Sequence, residues 1–252
     1  MKHYKFLLFL LSAGLLLTGC SQIEDDPSIG VIDVSKASNI KRGEPVVFKF
    51  KNVPDSSNVA WNITPADGVD LRAVGSSASV LFSFSGNYTI NATYQNTVLK
   101  SNVTVSDSVY APVTSSLVPL MQNETMSVTA IINDSSAVGK PEIALVTLVF
   151  RTSNKYDCLN NFLLVNKDPV SGLISFEGVY TPDSRFCSAG QQEAEGAITL
   201  NPDPELKNNK LEISLVGTVY KGYYYVSDKK LYVDWPYTEK IVFTDAIVVN
   251  NQ

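Results

Sequence analysis

Histidine is almost absent: the chain has one in 252 residues, His3, inside an apolar N-terminal leader. The rest of the chain has none. That excludes Ser-His-Asp and Cys-His nucleophilic catalysis, and metals held by histidine. Basic runs are equally scarce. No stretch of adjacent Lys or Arg exceeds a pair such as Lys229-Lys230, and the formal net charge is −5. A nucleic-acid partner needs a positive footprint that this chain lacks. Its mildly acidic balance serves solubility. Glycine-rich phosphate loops, Walker motifs and Asp-rich calcium loops are missing too. No catalytic set, metal or cofactor is therefore expected, and the chain does not read as an enzyme.

Cysteine is sparse and its placement is informative. Of three, Cys20 ends the apolar leader, which leaves Cys158 and Cys187. An even pair in an exported chain reads as a disulfide. Two cysteines without a nearby histidine make a poor zinc site. Closing such a loop stabilises a fold by about 3–4 kcal/mol in the chain-entropy account.

Charge is absent from Phe6 to Cys20, after the basic start Met1-Lys2-His3-Tyr4-Lys5. That layout is a secretory signal, and the run falls short of the ~20 residues a transmembrane helix needs. Its end, Leu17-Thr18-Gly19-Cys20, resembles the lipobox of bacterial lipoproteins. The resemblance implies a signal peptide over residues 1–19, cleavage before Cys20, and a lipid on that cysteine. The membrane is then a partner through the lipid anchor, and the expected location is the outer membrane. Residues 20–29 form an acidic tether, Ser21-Gln22-Ile23-Glu24-Asp25-Asp26-Pro27 at its centre. This tether is similar to the surface-export signal of Bacteroidota lipoproteins; outward and periplasmic faces both stay open.

Downstream, no 3.6-residue apolar period is sustained, and almost everything reads as strand. Val46, Phe48 and Phe50 alternate, as do Val59, Trp61 and Ile63, then Ala78, Val80, Phe82 and Phe84, then Tyr88, Ile90, Ala92 and Tyr94. Lys41-Arg42-Gly43-Glu44 and Pro65-Ala66-Asp67-Gly68 read as turns. Gly43 before an apolar strand, Trp61 in a central strand, Asp67-Gly68, and Phe84-Ser85-Gly86-Asn87-Tyr88 resemble a PKD-type immunoglobulin-like domain over residues 30–106. That resemblance implies a spacer or binding module in which Trp61 and the Gly-x-Tyr turn serve the core. Asn-x-Ser/Thr triplets at Asn62, Asn87, Asn91, Asn102, Asn123 and Asn133 read as polar positions on exposed strand faces. Residues 107–116 are expected to be a linker, and Asp107-Ser108-Val109 within them is similar to the O-glycosylation motif of Bacteroidota.

Residues 117–252 read as a second β domain bearing the disulfide. Strands are expected over Met126–Ile132, Ile143–Thr152, Phe162–Val165, Leu211–Tyr220, Tyr223–Ser227, Leu231–Trp235 and Ile241–Val249. The spacing suggests an antiparallel sandwich or a meandering barrel. The fold class is thus all-β: an immunoglobulin-like sandwich, then a second antiparallel β-sandwich or barrel.

Aromatics crowd one place: Tyr220-Lys221-Gly222-Tyr223-Tyr224-Tyr225, then Tyr232, Trp235 and Tyr237. Flat rings with polar tips suit sugar rings. Tyr223, Tyr225, Tyr232 and Trp235 are the candidate contacts, with Trp235 a loop aromatic before Pro236. Core packing is the competing account of the same residues. Asp157, Asp168, Glu177, Asp183, Glu193 and Glu195 are the carboxylates a histidine-free hydrolase would draw on. The whole resembles the plan of Bacteroidota surface glycan-binding lipoproteins, which implies non-catalytic polysaccharide capture. The alternatives are adhesion to another envelope protein through a sheet edge, and the carboxylate hydrolase.

Overall fold

In the computed structural model, residues 30–111, 117–135, 143–203, 206, 208–228 and 230–248 are described. Cys20, the leader, the whole tether and residues 112–116 of the expected linker lie outside them. The described residues contain strands and no helix.

The first unit is a two-sheet sandwich. Its strands are β1 (Ile32–Val34), β2 (Ile40–Arg42), β3 (Val46–Phe50), β4 (Ala60–Thr64), β5 (Val69–Val74), β6 (Ser77–Phe82), β7 (Gly86–Tyr94) and β8 (Thr97–Val109). One sheet runs β1-β3-β6-β5 and the other β2-β8-β7-β4. That is the A-B-E-D and A′-G-F-C arrangement of immunoglobulin sandwiches. The core lies between the sheets, with Phe48, Val80, Phe82, Tyr88, Ile90, Val103 and Val105 buried at the alternating positions. At the start of β7, Tyr88 Oη donates to the Phe84 carbonyl at 3.0 Å. This is the tyrosine corner of such sandwiches, which pins the turn leading into the strand.

Three expectations need correction. Lys41 and Arg42 belong to β2 rather than to a turn, pairing in parallel with the end of β8. Trp61 sits on β4, an edge strand. β8 runs to Val109, so the expected linker at 107–116 begins inside a strand. Ser106 to Val109 look like a linker because their polarity marks a solvent-facing strand end. Of the Asn-x-Ser/Thr triplets, Asn62, Asn87, Asn102 and Asn123 are exposed and Asn91 is half-buried; the Asn133 side chain lies outside the description.

The second unit contains β9 (Leu117–Val118), β10 (Met126–Ser135), β11 (Ile143–Asp157), β12 (Phe162–Lys167), β13 (Ile174–Tyr180), β14 (Gln191–Leu200), β15 (Asn209–Leu215), β16 (Thr218–Ser227), β17 (Lys230–Asp234), β18 (Ile241–Phe243) and β19 (Ile247–Val248). Sheet β14-β11-β10-β18 faces sheet β12-β13-β15-β16-β17-β19, with β9 on β13. It is a sandwich and not a barrel. The sheets are mixed, because β13–β15, β10–β18 and β17–β19 pair in parallel. Between them lie Val128, Val146, Leu148, Phe150, Leu163, Ile213, Val233 and Ile241, among others.

Two stretches read as single strands are split. Leu211–Tyr220 folds back at Val216-Gly217, where both residues have positive φ, 47° and 79°. That is the type I′ geometry of a two-residue hairpin, reached with valine in the first position rather than Asn or Asp. Ile241–Val249 crosses from one sheet to the other between Phe243 and Ile247.

The two units meet on a polar joint. Alternation points Val47, Ser77 and Ser79 away from the first core, yet their exposures are 0%, 1% and 0%. The second unit covers them. Ser79 Oγ donates to the Asn160 carbonyl at 2.8 Å, Arg72 Nη2 to the Glu193 carbonyl at 3.1 Å, and Lys49 Nζ to the Arg185 carbonyl at 3.2 Å. Small serines let the backbones approach, and the Ser79 hydroxyl supplies the bond a buried polar group requires.

Asp70 stands beside Arg72 on this face. Burial, reinforced by the Glu195 carboxylate and opposed by Arg72, raises its carboxyl from 3.8 to about 6. A raised carboxyl stabilises the fold below its unfolded value and loses that contribution as pH rises through its folded one. Stability should therefore fall between pH 4 and pH 7, by at most about 3 kcal/mol from this group. In Asp70→Asn that part of the slope should vanish. Urea midpoints across this range check it; equal slopes in both proteins contradict it.

Candidate functional site

The site is built on the solvent face of β15, β16 and β17. Antiparallel register sets Tyr223 between Lys210 and Asp234, and Tyr225 opposite Tyr232. Since side chains alternate, Tyr223, Tyr225, Tyr232, Lys210, Glu212, Lys221 and Asp234 share this face. Tyr223 is 50% exposed, whereas Tyr224, between Tyr223 and Tyr225, is 6% exposed and faces the core. Burial raises the Tyr224 hydroxyl to about 12.

Tyr225 and Tyr232 stack face to face, with centroids 4.8 Å apart and planes 3° from parallel. Cross-strand neighbours so arranged stand up from the sheet as a ridge. Each gives one ring face to the other, and both side chains are partly buried. Tyr223 flanks the ridge on the same strand. Among the described residues, none of the three hydroxyls has a hydrogen-bond partner. Beside them, Lys210 and Lys221 both reach Glu212, at 2.7 and 3.4 Å. With Asp234 added, and Lys230 on the same side of β17, three cations stand beside two carboxylates. The face is aromatic, hydroxyl-bearing and close to neutral.

Trp235 is elsewhere. It is 2% exposed, and its Nε1 donates to the Ile241 carbonyl at 3.0 Å. Its ring meets Tyr237 and Phe243 edge-on, at 5.2 and 5.3 Å. Tyr220 joins the group through Tyr237, at 5.0 Å. The expectation of Trp235 as an exposed loop aromatic is therefore corrected: it packs the core and offers no ring face to a ligand. The signal lay in Gly222. A Cβ there would sit 2.6 Å from the indole, so the glycine makes the space the ring fills. Glycine inside a strand run marks such a close approach.

A second concavity lies at the end of the same sandwich. It holds about 220 Å³ between Gln122, Glu124, Val216, Thr218, Tyr220 and Lys240. That is below the range of drug-sized pockets and fits at most one ring.

Four of the six candidate carboxylates serve local structure. Asp168 accepts from the Val170 and Ser171 amides and the Ser171 hydroxyl, which holds its carboxyl below the usual range. Asp157 accepts from Gln191, Asp183 from the Arg185 amide, and Glu195 pairs with Arg151. Burial raises Glu177. Among the described residues, no group of three His, Cys, Asp or Glu is placed to hold a metal.

Cys158 and Cys187 are bridged, with Cα atoms 5.2 Å apart. The bridge joins the loop after β11 to the loop before β14. No protein-family model matches the chain, and no curated protein matches it.

Proposed function

We propose that the chain is a lipid-anchored envelope protein that captures neutral polysaccharide, without catalysis, on the tyrosine face of β16 and β17. The observation that carries this is the grouping of Tyr223, Tyr225 and Tyr232 on one solvent-facing surface. Their hydroxyls are unengaged among the described residues, and their charged neighbours nearly cancel. Sugar C–H faces pack on tyrosine rings, while sugar hydroxyls bond to the phenols and to Lys210 and Asp234. Tyr223, exposed beside the stacked pair, is the ring most open to a sugar. Cys20 supplies the tether, the outer membrane the location, and the PKD-like first domain the spacer.

Affinity electrophoresis through soluble polysaccharides, with pull-down on insoluble ones, tests the reading. Tyr223→Ala should weaken retention at least about tenfold, the loss of roughly 1.4 kcal/mol from one exposed anchor. Its thermal midpoint should barely move. Absence of retention on any glycan, or retention indifferent to Tyr223, Tyr225 and Tyr232, would count against glycan capture.

A further inference from the structure

We infer that the Cys158–Cys187 bridge is a docking device: it fixes the two loops on which the immunoglobulin-like domain seats, rather than holding the second core. Neither cysteine belongs to the main apolar core of the second sandwich. That core already spans both sheets and needs no staple of the kind small secreted domains require. The bridge instead lies where the second unit meets β3, β5 and β6.

The loops it joins carry two of the three bonds across the joint, the third going to Glu193 on β14. Asn160, two residues after Cys158, presents the carbonyl that receives Ser79. Arg185, two residues before Cys187, presents the carbonyl that receives Lys49. Around the bridge the loops are ordered by further bonds. Leu159 N donates to the Ser188 carbonyl, Asn160 Nδ2 to the Phe186 carbonyl, and Ser188 N to Asn160 Oδ1, at 2.8, 3.0 and 2.9 Å. Asn160 and Asn161 are fully buried and Phe186 is 2% exposed. Asn161 Nδ2 reaches the carbonyls of Tyr156, Asp157 and Gln192. The receiving carbonyls are backbone atoms, so their positions depend on loop shape alone. A covalent closure between the loops is the most direct way to keep that shape in both.

Nitrogen-15 relaxation on the mature chain tests this, since docked domains tumble with one correlation time and separated domains with two shorter ones. The Cys158→Ser/Cys187→Ser double variant should show two times, with dispersed resonances kept for β10, β11 and β16. Ser79→Arg, which forces a large side chain into the joint but leaves the bridge intact, gives the reference for undocked domains. One shared correlation time in the double variant overturns the proposal. Collapse of resonance dispersion across β10, β11 and β16 overturns it as well, because the bridge would then be holding the core.

Discussion

Trp235→Ala should destabilise the second domain by about 3–5 kcal/mol, the range for removing a large buried aromatic. Three losses combine. The indole fills the space left by Gly222. It meets Tyr237 and Phe243 edge-on. Its Nε1 bond to the Ile241 carbonyl also ties the loop after β17 to β18 across the sandwich. Removing the ring leaves that carbonyl without its donor, which adds to the cavity term. Chemical denaturation with tyrosine and tryptophan fluorescence measures the effect. The consequence for ligand studies is direct. Lost glycan retention in Trp235→Ala reports unfolding, so the informative variants are those of Tyr223, Tyr225 and Tyr232. Destabilisation below about 1 kcal/mol would contradict the core assignment.

The same aromatic run shows what sequence reasoning can reach. Alternation separates Tyr223 and Tyr225 from Tyr224, and the structure puts the first two outward and the third in the core. Alternation applies because side-chain direction in a strand is a local property. Trp235 escaped because its environment is not local: the space it fills is opened by Gly222 on the neighbouring strand. Period-two patterning also located most strands of both sandwiches, though not β2 or β5, without showing which outward faces are covered. Val47, Ser77 and Ser79 read as solvent positions of an isolated sandwich. Their burial depends on a second unit whose contacting carbonyls, at Asn160, Arg185 and Glu193, belong to no side-chain pattern. The hairpin at Val216-Gly217 was hidden for a different reason. Valine is a poor residue for positive φ, so the turn lacks the usual Asn-Gly or Asp-Gly signal.

The second large effect concerns Glu124, which sequence patterning passes over as one more surface acid. It is fully buried. Three residues of β11, Thr152, Ser153 and Asn154, stand opposite the single Ala194 of β14, because the register shifts between Arg151 and Lys155. Such a bulge leaves backbone donors without ladder partners. Glu124 Oε1 accepts from Ser153 N, Asn154 N and the Ser153 hydroxyl at 2.8, 3.0 and 3.0 Å, and Oε2 from Tyr156 Oη at 2.6 Å. Thr152 Oγ1 takes the Ala194 amide from the other side, at 2.8 Å. The bulge lets β11 continue to Asp157, past the polar residues that seemed to end it at Thr152. Burial works against the Glu124 charge, but the bonds from Tyr156, Asn154 and Ser153 prevail and hold its carboxyl below the usual range. A depressed carboxyl stabilises the fold above its unfolded pKa and loses that contribution as pH falls through its folded one. Glu124→Ala should therefore cost about 3–5 kcal/mol at pH 7, since it strands the Asn154 amide and the Tyr156 hydroxyl and opens a cavity. Glu124→Gln, which keeps an oxygen for the bulge amides, should cost less. It should also flatten the loss of stability on acidification. Urea midpoints of the three proteins at pH 7 and pH 3 separate these effects. A Glu124→Gln protein that loses stability on acidification as steeply as the parent would show that this carboxylate does not hold the bulge through its charge.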